Sequence, residues 1–310
     1  MDFTPGYLKL LESGELERRA DRAWQILRQC SLCPHACGVN RLDGQTGFCG
    51  VGELAVVSSY GPHFGEEPPL IGPPGNRKGS GTIFFSGCNL SCIYCQNYEI
   101  SQQVEGSALP PEFIAAFFLS LQAEGCHNIN LVTPTHVVPQ IVRAIVFAAK
   151  EGLTLPIVYN CGGYESLDTL ALLDGIVDIY MPDFKYSDDE IASELSKAPR
   201  YWEHARAAFR EMHRQTGELI IHEGIARRGL LVRHLVLPGG LSGYDKIFRF
   251  IASELSPDTF INIMDQYRPC WRAFERPPLD RRITSEEFKD ALDAARKAGL
   301  RRVMQFVSPE

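Results

Sequence analysis

The sequence lacks the features that take a chain into a membrane or onto nucleic acid. Among its 310 residues no apolar run is long enough to cross a bilayer, and the first residues are polar and amphipathic rather than a charged segment followed by an apolar one. Basic residues are outnumbered, with 31 lysines and arginines against 38 aspartates and glutamates and a net charge of −7. We therefore expect a cytoplasmic protein with no membrane partner and no nucleic-acid partner.

Cysteine, by contrast, is abundant and unevenly placed. Ten cysteines are present, and seven of them fall into two groups. In a cytoplasmic chain such groups indicate bound metal rather than disulfide bonds. Cys126 and Cys270 have no neighbour at a metal-binding spacing, so we expect them to be structural.

The cysteine triplet, Cys88, Cys92 and Cys95, follows an apolar strand pattern at residues 81–85. Its C-x3-C-x2-C spacing can present three soft thiolates to three irons of a [4Fe-4S] cluster. The fourth iron then has no protein ligand and can bind a substrate or cofactor, as open catalytic metal sites do. An electron-transfer cluster would require a fourth cysteine, so the triplet predicts a ligand-binding cluster.

With its aromatic residue, the triplet Cys88-x3-Cys92-x-Tyr94-Cys95 resembles the motif of the radical S-adenosylmethionine (SAM) superfamily. The segment SGCNLSCIYCQNYEIS resembles the pyruvate formate-lyase-activating-enzyme-like branch, and the likeness covers about residues 30–267. The resemblance implies that the open iron binds the amino and carboxylate groups of SAM. Reductive cleavage then yields methionine and a 5′-deoxyadenosyl radical, which abstracts a hydrogen atom from the substrate. A flavodoxin- or ferredoxin-type electron donor is implied as well.

The cysteine quartet, Cys30, Cys33, Cys37 and Cys49, lies in the N-terminal part of the chain. Its C-x2-C half is followed by a proline and is typical of a metal knuckle, in which a tight turn directs both sulfurs towards one ion. Four thiolates close a tetrahedral site, so the quartet predicts either structural zinc or an auxiliary iron-sulfur cluster. Free thiols without metal are the remaining interpretation, and His35 could replace one cysteine as a ligand.

After the triplet, strand and helix patterns alternate in the order that builds a parallel sheet. Six such units predict an incomplete (β/α)6 TIM-like barrel over residues 76–310, and the radical SAM resemblance implies the same α/β fold. Residues 1–75 are predicted to form a helical, cysteine-rich metal-binding extension. Within the barrel we expect one helical region over residues 188–215 and a terminal strand over residues 302–306.

Polar residues follow the predicted strands at the end where parallel barrels carry their active sites. Arg233 lies in an otherwise apolar strand, where a buried guanidinium requires an anion, and the SAM carboxylate is a natural one. Asp183 and Lys185 resemble the Asp-x-Lys element of glycyl-radical-enzyme activases, in which the aspartate helps to hold a cation near the SAM carboxylate. A plain ion pair between them is the alternative. Asn160 resembles the superfamily's Asn-Gly strand end beside the SAM ribose and carboxylate.

Five further residues have assignments that leave alternatives open. Thr133 and Thr135 stand where the superfamily usually carries a glycine-rich, acidic segment that binds the SAM amino group. Their hydroxyl or carbonyl oxygens would have to accept that hydrogen bond instead. Tyr94 could stack on an aromatic ligand or simply pack. Glu66 and Glu67 lie in a connection rich in glycine and proline, and we expect surface or supporting roles for them.

Three functions are compatible with these patterns. The first is a radical SAM enzyme that abstracts hydrogen from a glycine of a protein substrate and so activates a glycyl radical enzyme. The second is the same radical chemistry on a small metabolite or another protein target. The third, from a different class, is a non-catalytic iron-sulfur or zinc protein. The open triplet favours the two enzyme functions, and a glycyl radical enzyme encoded by an adjacent gene would favour the first.

Overall fold

A computed structural model of the chain describes residues 3–306, and its strands form one nine-stranded sheet. The strands are β1 (Ala55–His63), β2 (Ser80–Phe85), β3 (Ser107–Leu109), β4 (Ile129–Val132), β5 (Ile157–Cys161), β6 (Ile179–Pro182), β7 (Ile220–His222), β8 (Ile225–Leu235) and β9 (Phe260–Met264). The α-helices are α1 (Gly6–Glu12), α2 (Glu15–Ile26), α3 (Pro68–Ile71), α4 (Tyr98–Ser101), α5 (Pro111–Ala123), α6 (Val138–Lys150), α7 (Leu167–Leu173), α8 (Asp189–Ser196), α9 (Tyr201–Thr216), α10 (Tyr244–Phe250) and α11 (Ser285–Ala298).

Six of the strands run parallel and form a barrel wall in the order β2, β4, β5, β6, β8 and β9. The antiparallel strands β1 and β3 extend the β2 edge, and β7 forms a hairpin with β8. The outermost parallel strands, β2 and β9, do not pair with each other within residues 3–306, so the wall stays open. This architecture confirms the predicted α/β fold, an incomplete (β/α)6 barrel.

The two faces of the wall carry different side chains, because neighbouring residues of a strand point to opposite faces. Ile129, Tyr159 and Tyr180 pack in a large core together with the helices. The strand residues that alternate with these form a smaller core inside the barrel. Helix α3 contributes Leu70 to this inner core, so α3 lies within the barrel. The inner core consists of Leu70, Val158, Ile179, Met181, Leu219, Ala226, Leu231 and Phe260.

The N-terminal part packs directly against the barrel. Helix α2 packs against α6, and β1 is itself a strand of the sheet. At α1, the Tyr7 hydroxyl donates a hydrogen bond to the Leu155 carbonyl at 2.9 Å, and the Gly6 N–H donates to Asp178 Oδ1 at 3.1 Å. The predicted domain boundary after residue 75 falls between α3 and β2, and it remains a prediction.

The predicted terminal strand over residues 302–306 is wrong. Val303 makes a single bridge to Ile261, and the next three residues form a 3-10 turn. The side chain of Gln305 takes the place of strand pairing, because its Oε1 accepts a hydrogen bond from the Ile263 N–H at 3.2 Å. One side chain thus satisfies a backbone donor that a further strand would otherwise have paired.

The predicted helical region over residues 188–215 is two helices, α8 and α9. The chain breaks between them because Lys197 and Arg200 both adopt left-handed backbone angles, with φ of 51° and 54°. The β7–β8 hairpin was not predicted, although its turn residues Glu223 and Gly224 have φ of 50° and 75°, as a two-residue hairpin turn requires. No helix in the described part of the chain is long and apolar enough to cross a bilayer.

Candidate active site

The cysteine triplet lies on a loop that begins where β2 ends. Gly87 permits the turn, because its φ is 82° and a Cβ there would lie 2.6 Å from the Cys49 carbonyl oxygen. Further along the loop, the N–H groups of Ser91 and Ile93 donate to two carbonyls at the end of α8, both at 2.9 Å. The N-terminal segment therefore contacts one end of the loop, and α8 holds the other.

Sulfur atoms of the triplet accept hydrogen bonds from the protein. Cys88 Sγ accepts from the Leu90 N–H at 3.3 Å, and Cys92 Sγ accepts from the Ser196 hydroxyl at 2.9 Å. Donors of this kind stabilise thiolate sulfur and tune the reduction potential of an iron-sulfur cluster. The bonds are therefore suited to sulfurs that carry negative charge.

The charge around the triplet supports the same conclusion. Burial raises the pKa of the Cys88 and Cys92 thiols, and the Lys185 ammonium opposes this rise. Cys95 Sγ lies 3.2 Å from the hydroxyl oxygen of Ser101. Three thiols on one loop, with hydrogen-bond partners and a nearby cation, fit a [4Fe-4S] cluster, which requires its cysteine ligands to be deprotonated.

A chain of hydroxyl groups leads away from Cys92. The Ser196 hydroxyl lies 2.6 Å from that of Tyr186, which lies 2.5 Å from that of Tyr94. Because Ser196 donates to sulfur, it accepts from Tyr186, which in turn accepts from Tyr94. Tyr94 is buried and meets Tyr267 edge to face, with ring centroids 6.0 Å apart. Its hydroxyl is thus engaged within the protein, an arrangement that the sequence did not reveal.

Four of the predicted site residues meet in one network at the ends of the parallel strands. Asp183 accepts from Arg233 Nε at 2.8 Å and from Lys185 Nζ at 2.7 Å. Arg233 Nη2 also donates to Asn160 Oδ1 at 2.7 Å. Burial alone would raise the pKa of Asp183, but the charges of Arg233 and Lys185 outweigh it and hold that pKa below its usual range. The aspartate is therefore ionised and ties two cations together.

Glu66 and Glu67 also reach this network, so of the two roles expected for them, surface or supporting, the surface one is wrong. Both side chains are less than a tenth exposed, and their carboxylate oxygens lie 3.8 and 3.9 Å from Arg233 Nη1. The following helix α3 brings them inside, because Leu70 belongs to the inner core. Burial raises the pKa of Glu66 to about 7, although Arg233 lowers it. Glu67 accepts a hydrogen bond from the Asn262 amide at 3.1 Å.

The two predicted threonines take different positions beyond β4. Thr133 adopts a left-handed φ of 60°, and its N–H donates to the Asn160 carbonyl at 2.9 Å. Thr135 is buried, and its hydroxyl donates to Glu165 Oε1 at 2.8 Å. Burial raises the pKa of Glu165 to about 7, although hydrogen bonds from Thr135 and Tyr159 lower it. Thr133 therefore lies next to the network, whereas the Thr135 hydroxyl holds a separate buried carboxyl group.

The cysteine quartet surrounds a small pocket between the N-terminal segment and the barrel. The pocket is lined by Cys30, Leu32, Cys33, Ala36, Cys37, Arg41, Gly47, Phe48, Cys49 and His136. Cys37 Sγ accepts from the Phe48 N–H at 3.4 Å, and a Cβ on Gly47 would lie only 2.9 Å from that sulfur. Burial raises the pKa of Cys49, and the charge of Arg41 opposes the rise. The structure therefore brings all four predicted cysteines to one place.

His35 does not line this pocket. Its Nε2 lies 3.0 Å from the Asn89 carbonyl oxygen on the triplet loop, and its ring stacks on Phe48 with centroids 3.8 Å apart. All ten cysteines are free thiols. Within residues 3–306, no three histidine, cysteine, aspartate or glutamate side chains meet closely enough to hold a single metal ion. That finding includes the triplet and concerns single ions; a [4Fe-4S] cluster holds its thiolates further apart than one ion does.

This geometry is compatible with a radical SAM site, and the comparison with known families shows the superfamily. The sequence model of the radical SAM superfamily matches residues 82–239, so the chain belongs to that superfamily. Its members are enzymes that normally use a [4Fe-4S] cluster and SAM. The superfamily therefore confirms radical SAM chemistry in general for this chain.

Two proteins of Methanocaldococcus jannaschii are similar in sequence. Uncharacterized protein MJ0674 is 32% identical over 302 residues, which cover 94% of this chain and 82% of that protein. Uncharacterized protein MJ0808 is 23% identical over 266 residues, which cover 81% and 73%. A solved structure described as TYW1 with a lysine-pyruvate adduct bound has a TM-score of 0.42 and 12% identity over 70% of this chain and 73% of that one, too low to support an argument. None of these descriptions names a glycyl-radical-enzyme activase, so that narrower resemblance stays a prediction.

Proposed function

We propose that this radical SAM enzyme abstracts a hydrogen atom from a glycine of a protein substrate and so activates a glycyl radical enzyme. The observation that carries the proposal is the network of Asn160, Asp183, Lys185 and Arg233. It contains the Asp-x-Lys element that resembles the one in such activases, and it places that element beside the triplet. The triplet by itself supports only the general radical chemistry.

The residues of the network position SAM. When bound, the cluster supplies one electron to SAM, whose carbon-sulfur bond breaks to give methionine and the 5′-deoxyadenosyl radical that removes hydrogen from the substrate. Lys185 is close enough to oppose the rise in the pKa of Cys92, so we assign its ammonium to the SAM carboxylate. Arg233 is held by Asn160 and Asp183, and it keeps Asp183 in place to orient Lys185.

The remaining predicted residues receive distinct roles. We assign Thr133 to the SAM amino group, because it adjoins Asn160 at the same strand ends. Thr135 positions the loop by holding Glu165. Tyr94 excludes water from Cys92 and supports it through the chain of hydroxyl groups, because both it and Tyr186 are buried.

One observation favours a second target, a small polar metabolite. Glu66 and Glu67 lie inside the barrel beside Arg233, and Glu67 Oε2 is buried without a hydrogen-bond partner. A glycine residue would offer only neutral amide groups to these acids, whereas a small substrate could bring a cation or a hydroxyl donor. The two acids would then bind the substrate directly.

The radical chemistry is tested with anaerobically purified protein that carries a full cluster. Incubation with SAM and a strong chemical reductant should yield 5′-deoxyadenosine and methionine. A reduced flavodoxin or ferredoxin, which we propose as the natural electron donor, should replace the chemical reductant. A fully loaded cluster that forms no 5′-deoxyadenosine under either condition would contradict the proposal.

The two targets are separated by adding a glycyl radical enzyme encoded in the same genome. Activation should produce the electron paramagnetic resonance signal of a glycyl radical, and deuterium from labelled glycine in that partner should appear in 5′-deoxyadenosine. If 5′-deoxyadenosine forms while every such partner remains radical-free, the first target is excluded. Replacement of Glu66 or Glu67 by glutamine should then impair turnover of the small substrate but not the uncoupled cleavage of SAM.

A further inference from the structure

Arg41 carries a buried charge with no opposite charge beside it. Its side chain is 1% exposed, and none of the ion pairs within residues 3–306 includes it. Nε donates to the Gly52 carbonyl at 2.8 Å and Nη1 to the His136 carbonyl at 2.6 Å, both neutral acceptors. Nη2 is buried and has no partner at all. A buried guanidinium in this state is costly unless an anion lies next to it.

The missing anion has an evident place. Arg41 lines the same small pocket as the four cysteines of the quartet. His136 lines it too, but its Nε2 donates to the Ser86 carbonyl, so its unpartnered Nδ1 is an acceptor and is not part of the case for an anion. Arg41, with its unpartnered Nη2 donor, thus lines a pocket that four cysteines also line. Protonated thiols would leave the charge of Arg41 unbalanced, because a neutral thiol is only a weak acceptor.

We propose that Cys30, Cys33, Cys37 and Cys49 hold an anionic tetrathiolate metal centre, and that its negative charge is the counter-charge of Arg41. Four thiolates around one zinc ion, or around a [4Fe-4S] cluster, leave a net negative charge in either case. The metal analysis described below distinguishes the two. This centre is separate from the triplet, beside which the cations Lys185 and Arg233 are already paired with Asp183.

The proposed centre is joined to the triplet loop through short contacts. Arg41 donates to the His136 carbonyl, and His136 Nε2 lies 2.8 Å from the Ser86 carbonyl oxygen, two residues before Cys88. On the other side, His35 lies between two cysteines of the quartet in sequence and contacts Asn89. Binding of metal by the quartet therefore fixes both ends of the segment that presents Cys88.

Metal analysis of the full chain tests the proposal without relying on catalysis. The triple variant Cys88→Ala, Cys92→Ala, Cys95→Ala lacks the radical SAM ligands and is purified without oxygen. It should retain either iron with acid-labile sulfide or about one zinc per chain, and the analysis tells these two sources apart. Adding Cys33→Ala and Cys37→Ala should remove that metal, whereas adding Cys126→Ala and Cys270→Ala should not.

Substitution of Arg41 tests the charge argument separately. Arg41→Met in the triple variant should shorten the lifetime of the bound metal in a chelator by about tenfold or more. The exposed Arg28→Met is the matched control and should leave that lifetime unchanged. A triple variant that folds normally by circular dichroism yet contains neither iron nor zinc would overturn the proposal. So would an Arg41→Met protein that keeps its metal as long as the control does.

Discussion

The two cysteine groups differ in how the protein balances charge around them. Beside the triplet, Lys185 and Arg233 are tied to Asp183 by bonds of 2.7 and 2.8 Å, so those cations have a partner whether or not a ligand is present. Beside the quartet, the buried guanidinium of Arg41 meets only neutral carbonyls. The first arrangement suits a site that binds and releases a charged cofactor such as SAM. The second suits a site that holds one group permanently.

The largest effect should come from removing one sulfur from each group. Cys92→Ala should abolish formation of 5′-deoxyadenosine, because two thiolates do not hold the cluster that leaves one iron open. Cys33→Ala should mainly lower the yield of folded protein, and its folded fraction should still cleave SAM. The product is measured by chromatography and normalised to folded chain. If a folded Cys33→Ala protein has full iron at the triplet but forms no 5′-deoxyadenosine, the quartet takes part in electron transfer instead.

A smaller loss is expected when the balanced cations are altered. Lys185→Met leaves Asp183 with Arg233 alone and removes the ammonium that we assign to the SAM carboxylate. We expect binding of SAM to weaken by about 100-fold, in line with the loss of a buried charge-assisted bond. Equilibrium binding of SAM to the loaded protein measures this directly. Arg41→Met, by comparison, should leave SAM affinity nearly unchanged. An equal loss of SAM affinity in both variants would contradict the proposed difference between the triplet and the quartet.

Ser196 allows a finer test of the triplet alone. Ser196→Ala removes the hydroxyl that donates to Cys92 Sγ at 2.9 Å, and with it the end of the chain through Tyr186. A lost donor destabilises the more negative, reduced cluster most, so the reduction potential should fall by tens of millivolts. Redox titration followed by electron paramagnetic resonance gives the value. Tyr186→Phe should lower it less, and a variant pair with unchanged potentials would show that the chain is only structural.

The smallest effect concerns pH and the inner acids. Burial raises the pKa of Glu66 to about 7 from its ordinary value of 4.5. Between these values Glu66 is protonated in the folded chain and ionised in the unfolded one, so the free energy of unfolding falls as pH rises from 4.5 to about 7. Glu66→Gln should remove about 2 kcal/mol of this decline. Urea unfolding across that pH range measures it, with exposed Glu190→Gln as the control.

The local patterns of the sequence were sufficient for the wall of the barrel and for placing four candidate site residues at one edge of it. Asn160, Asp183, Lys185 and Arg233 could be assigned from their positions at strand ends, because parallel strands bring those ends to one edge. Glu66 could not, since its burial depends on α3 entering the barrel far along the chain from the strands that enclose it. The short helix offers only Pro-Pro-Leu-Ile as a signal.

Ser196 and Tyr186 were missed for a related reason. Ser196 meets Cys92 across 104 positions of sequence, and no spacing rule connects a helix end to a sulfur at that separation. The prediction of a terminal strand over residues 302–306 was wrong because a single side chain, Gln305, makes a hydrogen bond that a further strand would otherwise have made. Sequence patterns do not reveal contacts that a single side chain makes with residues far away in the sequence.

Helix α8 connects exposed residues at the protein surface with the sulfur of Cys92. Two backbone carbonyls at its C-terminal end accept hydrogen bonds from the triplet loop, and the Ser196 hydroxyl donates to Cys92 Sγ. Glu190, Ser193 and Glu194 of the same helix are exposed to solvent. A shift of α8 by a fraction of an ångström would therefore lengthen the hydrogen bond from Ser196 to Cys92 Sγ. The reduction potential of a cluster bound at the triplet would change with that hydrogen bond, although the helix that moves lies outside the barrel.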